Sequence, residues 1–391
     1  MSETRPLHRS PRDYLVAEAP DEPVLFLSPE VLQASARRFC EGFPGMVTYA
    51  VKANPAEAVL LNLMAAGVAG FDVASPAEIA LVRSLSPEAA LHYHNPVRSR
   101  SEIAMGLAAG VASWSVDQPG EWRKLDGALP PGAEVAVRFK LAVSGAAYDF
   151  GEKFGATEAE AVALLAQVAG AGFCPALTFH PGTQCADPEA WAAYIEAAGR
   201  IAGTAGVRLA RLNVGGGFPS HRMREEVPPL DAIFARIGAA VREGFGEEAP
   251  KLVCEPGRAL VAEAVSLALR VKSLRSMGEV YLNDGIYGAL AEQPLMGMTD
   301  RIRVMAPDGR ARAGALRDRL VWGPTCDSLD RLPGKLPLPC DMAEGDYLLI
   351  DGMGAYSTAT VTRFNGYGGL RLATVRALNE PSGTGHHRPC A

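Results

Sequence analysis

Apolar and polar positions follow two alternating periods through the first two thirds of this chain. Short apolar, β-branched runs lie at 46–51, 70–74, 90–94, 113–117, 134–139, 176–179, 211–214 and 251–254. Nearly all are followed by stretches whose apolar positions recur every three to four residues, the helical period. The run from Met46 to Val51 leads straight into Lys52. Asn54-Pro55 then turns the chain into a helical pattern from Ala56 to Ala66, stopped by Gly67. Two of the helices announce their starts with capping boxes, Ser75-Pro76-Ala77-Glu78 and Thr157-Glu158-Ala159-Glu160. The stretch 229–245, entered through Pro228-Pro229, is clearly amphipathic. Ahead of the series, Pro23 to Leu27 reads as a further strand, and Ser28-Pro29 opens a helix with proline at its first position. Eight β/α units in about 230 residues match the size of a (β/α)8 barrel. A doubly wound open sheet fits the same repeat, because repetition alone does not decide closure.

Beyond about residue 265 the pattern changes. Strand-like runs at 265–271, 279–282, 320–322, 346–350 and 359–364 are separated by turn residues, and long helical patterns are few. This predicts an all-β second domain, sandwich-like or barrel-like. The stretch from Met296 to Arg319 is polar and arginine-rich and reads as a surface excursion; the tail from Pro381 reads as disordered.

Composition narrows the setting. The 391 residues exceed one typical core, so two domains are expected. A net charge of −6, with no basic run, argues against nucleic acid. No apolar run is long enough for a bilayer. Met1 to Pro20 mixes charges and prolines without an apolar signal core, which predicts a cytoplasmic protein. Seven scattered cysteines without a C-x-x-C pair predict reduced thiols and no structural zinc. His386-His387 is too short to argue for a metal, and none is predicted.

Candidate chemistry sits where the strands end, since barrels place their active sites at those ends. In order, the ends carry Lys52, Asp72, Asn95, Asp117, Arg138, His180, Gly215-Gly216-Gly217 and Glu255. Each has an ordinary reading. Lys52 could form an ion pair, Asp72 could help cap a helix, Arg138 could pair with any carboxylate, and His180 could be a satisfied core histidine. Asp117 is set aside as a helix cap. A structural explanation of all of them together is poor. The glycine run, with Gly257 on the next strand end, suits a phosphate, although a tight turn reads equally well from the run alone. A strand-end lysine, a phosphate cradle, a carboxylate and a ring-sized histidine together suggest pyridoxal phosphate, with Lys52 as the Schiff-base lysine and a carboxylate on the pyridine nitrogen.

These motifs resemble those of the fold-type III pyridoxal-phosphate decarboxylases of basic amino acids, the ornithine/lysine decarboxylase family. The resemblance covers roughly residues 22 to 370 and rests on Tyr49-Ala50-Val51-Lys52-Ala53-Asn54, Gly70-Phe71-Asp72-Val73-Ala74-Ser75, Lys153-Phe154-Gly155, His180-Pro181-Gly182-Thr183, Gly215-Gly216-Gly217-Phe218-Pro219, Glu255-Pro256-Gly257-Arg258, Trp322-Gly323-Pro324-Thr325-Cys326-Asp327 and Gly354-Ala355-Tyr356. It implies a barrel at 30–265 and a β domain from 1–29 with 266–391, joined by the N-terminal strand. It implies that Glu255 pairs with the pyridine nitrogen, that His180 stacks on the ring, and that Asp72 and Arg138 flank ring and lysine. Thr183, Gly215 to Gly217, Gly257, Arg258 and Tyr356 would hold the phosphate. Cys326 would deliver a proton and Asp327 would bind the distal ammonium of the substrate, both from the other subunit of a head-to-tail homodimer. Tyr287 and Phe364 would line the same space.

Two departures stand out. Eukaryotic-type members carry a second substrate-binding aspartate soon after the tyrosine of Asn283-Asp284-Gly285-Ile286-Tyr287, where this chain has Met296; Glu292 is the nearest candidate acid. The family His-Val-Gly-Ser is His-Pro-Gly-Thr here. The expected activity is decarboxylation of L-ornithine or L-lysine to a diamine, in polyamine synthesis. A diaminopimelate decarboxylase is the alternative enzyme, but Cys326-Asp327-Ser328-Leu329-Asp330 stands where Cys-Glu-Ser-Gly-Asp is expected for that group. A non-catalytic, partner-binding homologue is the alternative of another class; Lys52, Glu255 and Cys326 together argue against it.

Overall fold

In the computed structural model, residues 7–142, 152–276 and 278–379 are described. The tail expected to be disordered lies outside them. The chain divides into two compact units. One comprises Ser35–Ser220 and Pro228–Leu260; the other comprises Met1–Ala34, His221–Val227 and Val261–Ala391.

The strands, in chain order, are β1 (Val24–Leu27), β2 (Met46–Ala50), β3 (Gly70–Asp72), β4 (Ala90–Tyr93), β5 (Ser113–Val116), β6 (Glu134–Arg138), β7 (Cys174–Thr178), β8 (Arg211–Asn213) and β9 (Lys251–Cys254). In the first unit β2 to β9 form a closed parallel barrel. Pairing of Met46 with Val253 and Val47 with Cys254 closes the ring, so the barrel reading holds and the open sheet is excluded. The outward-facing strand residues Phe71, Leu91, Trp114 and Val137 are buried. One helix start differs in detail from expectation. Ser75 caps Pro76–Leu85, but Glu78 reaches back to the Ala74 N–H at 2.7 Å.

The other unit carries β10 (Val265–Leu274), β11 (Val280–Leu282), β12 (Ile302–Met305), β13 (Leu316–Arg319), β14 (Val321–Trp322), β15 (Leu336–Pro339), β16 (Tyr347–Asp351) and β17 (Arg371–Thr374). Its main sheet runs β12-β16-β10-β1-β17, with β11 and β14 branching from β10. The N-terminal strand β1 lies between β10, antiparallel, and β17, parallel. Its buried side chains Val24 and Phe26 join a core with Tyr14, Leu15, Ala268, Met305, Tyr347, Leu349, Val375 and Leu378.

Three expectations need correction here. The arginine-rich stretch 296–319 contains β12 and β13, because Arg303 and Arg317 lie on exposed faces of short strands and leave the ladder intact. The run 359–364 forms no strand; turns carry the chain into the short 3-10 helix Phe364–Gly366. Cys340 is disulfide-bonded, whereas Cys40, Cys174, Cys185, Cys254 and Cys326 are free thiols. Spacing in sequence gave no sign of that bridge.

Candidate active site

The barrel assembles most of the expected residues at one mouth. β2 stops at Ala50, and Lys52 sits on the 3-10 turn Val51–Ala53 that follows. It is exposed, not buried as its place after an apolar run suggested. Its charge is felt by Asp72, Glu78 and His180, which places its ammonium among them.

Asp72, His94 and Glu255 offer atoms that all lie within 4.8 Å of one another. His94 Nδ1 is 2.6 Å from Glu255 Oε1, and His94 Nε2 is 2.8 Å from Ser113 Oγ. Asn213 Nδ2 donates to the same Glu255 oxygen. The Asn213 amide is oriented by its Oδ1, which accepts from the Gly215 N–H at 2.8 Å. Burial alone would push the Glu255 carboxyl up, but His94 and Asn213 hold it down at about 2. Asp72 shows the opposite balance. Burial, and then the charge of Glu255, push it up to about 7, and its Oδ1 has no hydrogen-bond partner. Two adjacent carboxylates are thus driven apart, one anionic and one readily protonated at neutral pH.

His180 is buried, and burial followed by the charges of Arg138 and Lys52 brings it down to about 3, so its ring is neutral. Its Nδ1 accepts from the Gly182 N–H at 3.0 Å, which puts the proton of the neutral ring on Nε2. Arg138 lies over the Phe154 ring at 5.1 Å, which explains the Lys153-Phe154-Gly155 motif. Asp117, set aside earlier, accepts from the Gly155 N–H at 3.1 Å. Asn95 is a turn residue, bonding the Ala74 carbonyl and the Val97 N–H.

The glycine run is dictated by packing. Gly215 and Gly217 have φ of +69° and +85°, and a Cβ there would sit 2.0 Å from the Phe179 carbonyl oxygen or 2.1 Å from that of Gly182. At Gly216 a Cβ would meet the Glu255 carbonyl oxygen at 2.7 Å. The following Phe218 stacks on Trp191 at 4.3 Å and anchors the loop. Among the described residues, the N–H groups of Gly216 and Gly217 find no protein acceptor, so they remain available to an anion. Thr183 lies in the neighbouring loop, where Cys185 N–H bonds the Gly217 carbonyl at 2.9 Å. Gly257 packs 2.9 Å from the Ala53 Cβ as judged from its own would-be Cβ, and Arg258 opens the short helix Arg258–Val261. Free donors on a glycine loop, an anionic carboxylate, an orphaned Asp72 oxygen and a nearby amine fit pyridoxal phosphate.

The β unit gathers a second group. The Tyr287 hydroxyl donates to Asp327 Oδ2, and the Leu329 N–H donates to Asp327 Oδ1 at 2.9 Å. These bonds, the backbone one first, hold the Asp327 carboxyl below its usual range. Tyr287 and Phe364 rings lie 4.8 Å apart, and the Thr362 N–H bonds the Tyr287 carbonyl at 2.9 Å. Cys326 is exposed, its Sγ 3.3 Å from Asn365 Oδ1. Glu292 stands at the N-cap of the short helix Gln293–Met296. Tyr356 has a φ of +61°.

Sequence reasoning missed His94, Asn213 and Ser113. The signal was present: in Ala90-Leu91-His92-Tyr93-His94 the histidines alternate with apolar residues, which puts both on the inward face.

A model of the family described as pyridoxal-dependent decarboxylase, pyridoxal binding domain, matches residues 30–262. The ornithine decarboxylase of Mus pahari is 31% identical over 349 residues, spanning 82% of this chain and 73% of that protein. The lysine/ornithine decarboxylase of Selenomonas ruminantium is 31% identical over 329 residues, spanning 82% and 81%. The crystal structure of the Vibrio vulnificus lysine/ornithine decarboxylase complexed with cadaverine superposes with a TM-score of 0.80 at 27% identity, covering 94% of this chain and 100% of that one.

Proposed function

The chain belongs to the pyridoxal-dependent decarboxylases, and from that premise we propose that it decarboxylates L-ornithine or L-lysine to the corresponding diamine. The observation that carries this choice of substrate is Asp327. An accessible carboxylate, kept anionic by the Leu329 N–H and by Tyr287, a residue whose ring packs on that of Phe364, suits the distal ammonium of a diamino acid. The named substrates and products of the relatives support the same class.

Pyridoxal phosphate, when bound, supplies the electron sink for the pair left by the departing carboxylate. The rest falls to the chain. Lys52 is the amine for the cofactor's aldehyde carbon. Glu255, held anionic in a buried setting, would accept from the ring nitrogen's N–H. The neutral His180 offers a flat, uncharged face. Gly216, Gly217, Thr183, Gly257, Arg258 and Tyr356 would hold the phosphate, and Arg138 and Asp72 would flank the ring. Cys326 returns a proton to the substrate carbon, and Glu292 supplies a weaker second anchor for the ammonium.

The complete site draws on two chains of a head-to-tail homodimer, with Cys326 and Asp327 entering from the neighbour. The support is the resemblance in those motifs, together with the exposure of Cys326, Leu329 and Phe364 on the β unit. Polyamine synthesis in the cytoplasm is the setting this chemistry serves. Among the described residues, no helix is long and apolar enough to cross a membrane.

Product analysis after incubation with L- and D-ornithine, lysine, arginine and diaminopimelate tests the reading. Putrescine from L-ornithine or cadaverine from L-lysine is expected. Turnover of diaminopimelate alone would overturn it.

A further inference from the structure

We infer that His94 is a positioning residue that, by donating its Nδ1–H to Glu255, fixes Glu255 as an anion aimed at the cofactor. The inference rests on the proposed pairing of Glu255 with the ring nitrogen and adds to it a residue from a different strand end.

Geometry carries the argument. Glu255 sits in the barrel interior, where an ionised carboxylate is costly without hydrogen bonds and a counter-charge. The Arg138 guanidinium stacks over Phe154 and acts on Glu255 through space, and the Lys52 ammonium acts on Asp72, Glu78 and His180. His94, at 2.6 Å and almost wholly buried, is the ionisable group in direct contact. Both of its ring nitrogens are engaged: Nδ1 faces Glu255 Oε1 at 2.6 Å and, at 2.8 Å, the Asn213 Nδ2 that donates to that same oxygen, and Nε2 meets the Ser113 hydroxyl. A hydroxyl accepts as readily as it donates, so both N–H groups of an imidazolium are satisfied. The ring cannot turn away, because Ser113 pins its far edge and His92 lies against its face at 5.4 Å between centroids.

The charges around His94 favour the proton. Glu255, Asp72 and Glu134 all face it as carboxylates and raise its pKa against the effect of burial. His92 is the one basic group packed against it, and burial together with His94 itself keeps His92 neutral, down to about 3. Arg211, which also bears on His92, is tied to Glu134 at 3.3 Å.

The bonds to Glu255 are one-sided. His94 and Asn213 both act on Oε1, which leaves Oε2 for the ring nitrogen. If His94 were uncharged, Glu255 would lose its counter-charge and become easier to protonate. A protonated Glu255 would be a weaker acceptor for a pyridinium N–H.

The test begins on the protein without cofactor. Imidazole resonances of isotope-labelled histidine should show His94 titrating above the ordinary histidine value near 6.5. In Glu255→Gln that titration should move back towards or below it. In the pyridoxal-phosphate-loaded enzyme, His94→Ala should weaken cofactor affinity about tenfold or more. It should also shift the pH at which the bound cofactor's absorbance changes. His94→Gln keeps a hydrogen-bond donor without the charge, so it should restore folding and leave the spectral shift in place. His94 titrating at or below 6.5 in the wild type, with no response to Glu255→Gln, would overturn the inference. So would unchanged cofactor affinity and pH-dependent absorbance in His94→Gln. Failure of the wild type to bind pyridoxal phosphate would instead strike the functional reading, and the histidine titration, made without cofactor, distinguishes the two.

Discussion

The barrel mouth and the Tyr287–Asp327 group of the β unit solve different problems with different means. In the barrel, the working side chains leave the ends of parallel strands, and Glu255 among them is fixed by both His94 and Asn213. Burial there drives Asp72 up and His180 down, while Glu255 is held low against burial. In the β unit, Asp327 and Cys326 lie on exposed turns, and Asp327 is held by one backbone N–H and one hydroxyl. A cofactor that stays in place through each cycle suits the first kind of site. On the reading proposed above, a substrate that must enter and leave suits the second.

The strongest way to break this comparison is at the barrel. Lys52→Ala should lose decarboxylation almost entirely while circular dichroism and thermal unfolding stay close to wild type, because Lys52 is exposed and supports no core packing. Borohydride reduction and peptide mapping should find the pyridoxyl label on Lys52; label on Lys140 or Lys153 would refute the assignment. Glu255→Gln should retain cofactor but slow the chemical step, on the order of a hundredfold, seen in single-turnover kinetics. Wild-type turnover there would remove the role given to the carboxylate.

At the Tyr287–Asp327 group the expected effects are smaller and fall on binding. Asp327→Ala should raise KM for ornithine or lysine roughly tenfold or more, with a lesser change in kcat, since it leaves an ammonium without its partner. Glu292→Ala should raise KM less. Equal effects on kcat and KM at both positions would erase the distinction between the regions.

The smallest effect concerns stability. His92 is neutral in the folded barrel until about pH 3, whereas in the unfolded chain it takes up a proton near 6.5. Between those values the unfolded state binds more protons, so this group's contribution to stability falls as pH falls, by about 1.4 kcal/mol per pH unit. His92→Gln should flatten the decline of stability from pH 6 to 4, measured by denaturant unfolding. An unchanged slope would show that His92 is not buried neutral.

The barrel was legible because each unit repeats a two-residue period and then a helical one. The strand ends therefore pointed to Asp72, Arg138, His180 and Glu255 directly. Lys52 was misjudged in burial, because a 3-10 turn after Ala50 carries it out of the strand's inward alternation. His94 escaped because the polar residue that ends this strand pattern is Asn95, one residue further, which makes the turn. In the β unit, short strands left weaker patterns. Arginines hid β12 and β13, and the alternation at 359–364 belonged to turns held by bonds such as Thr362 N–H to Tyr287. Such bonds join residues distant in sequence, and no local pattern encodes them.

The division of labour is tested most directly by mixing two inactive chains, Lys52→Ala and Cys326→Ala, under conditions that exchange subunits. If each site takes its barrel from one chain and its β-unit group from the other, random exchange makes half the dimers hybrid, each with one intact site of two. Activity should then return to about a quarter of the wild-type value. No recovery, with hybrid dimers demonstrated, would mean that the barrel and the β-unit group of a single chain serve the same site.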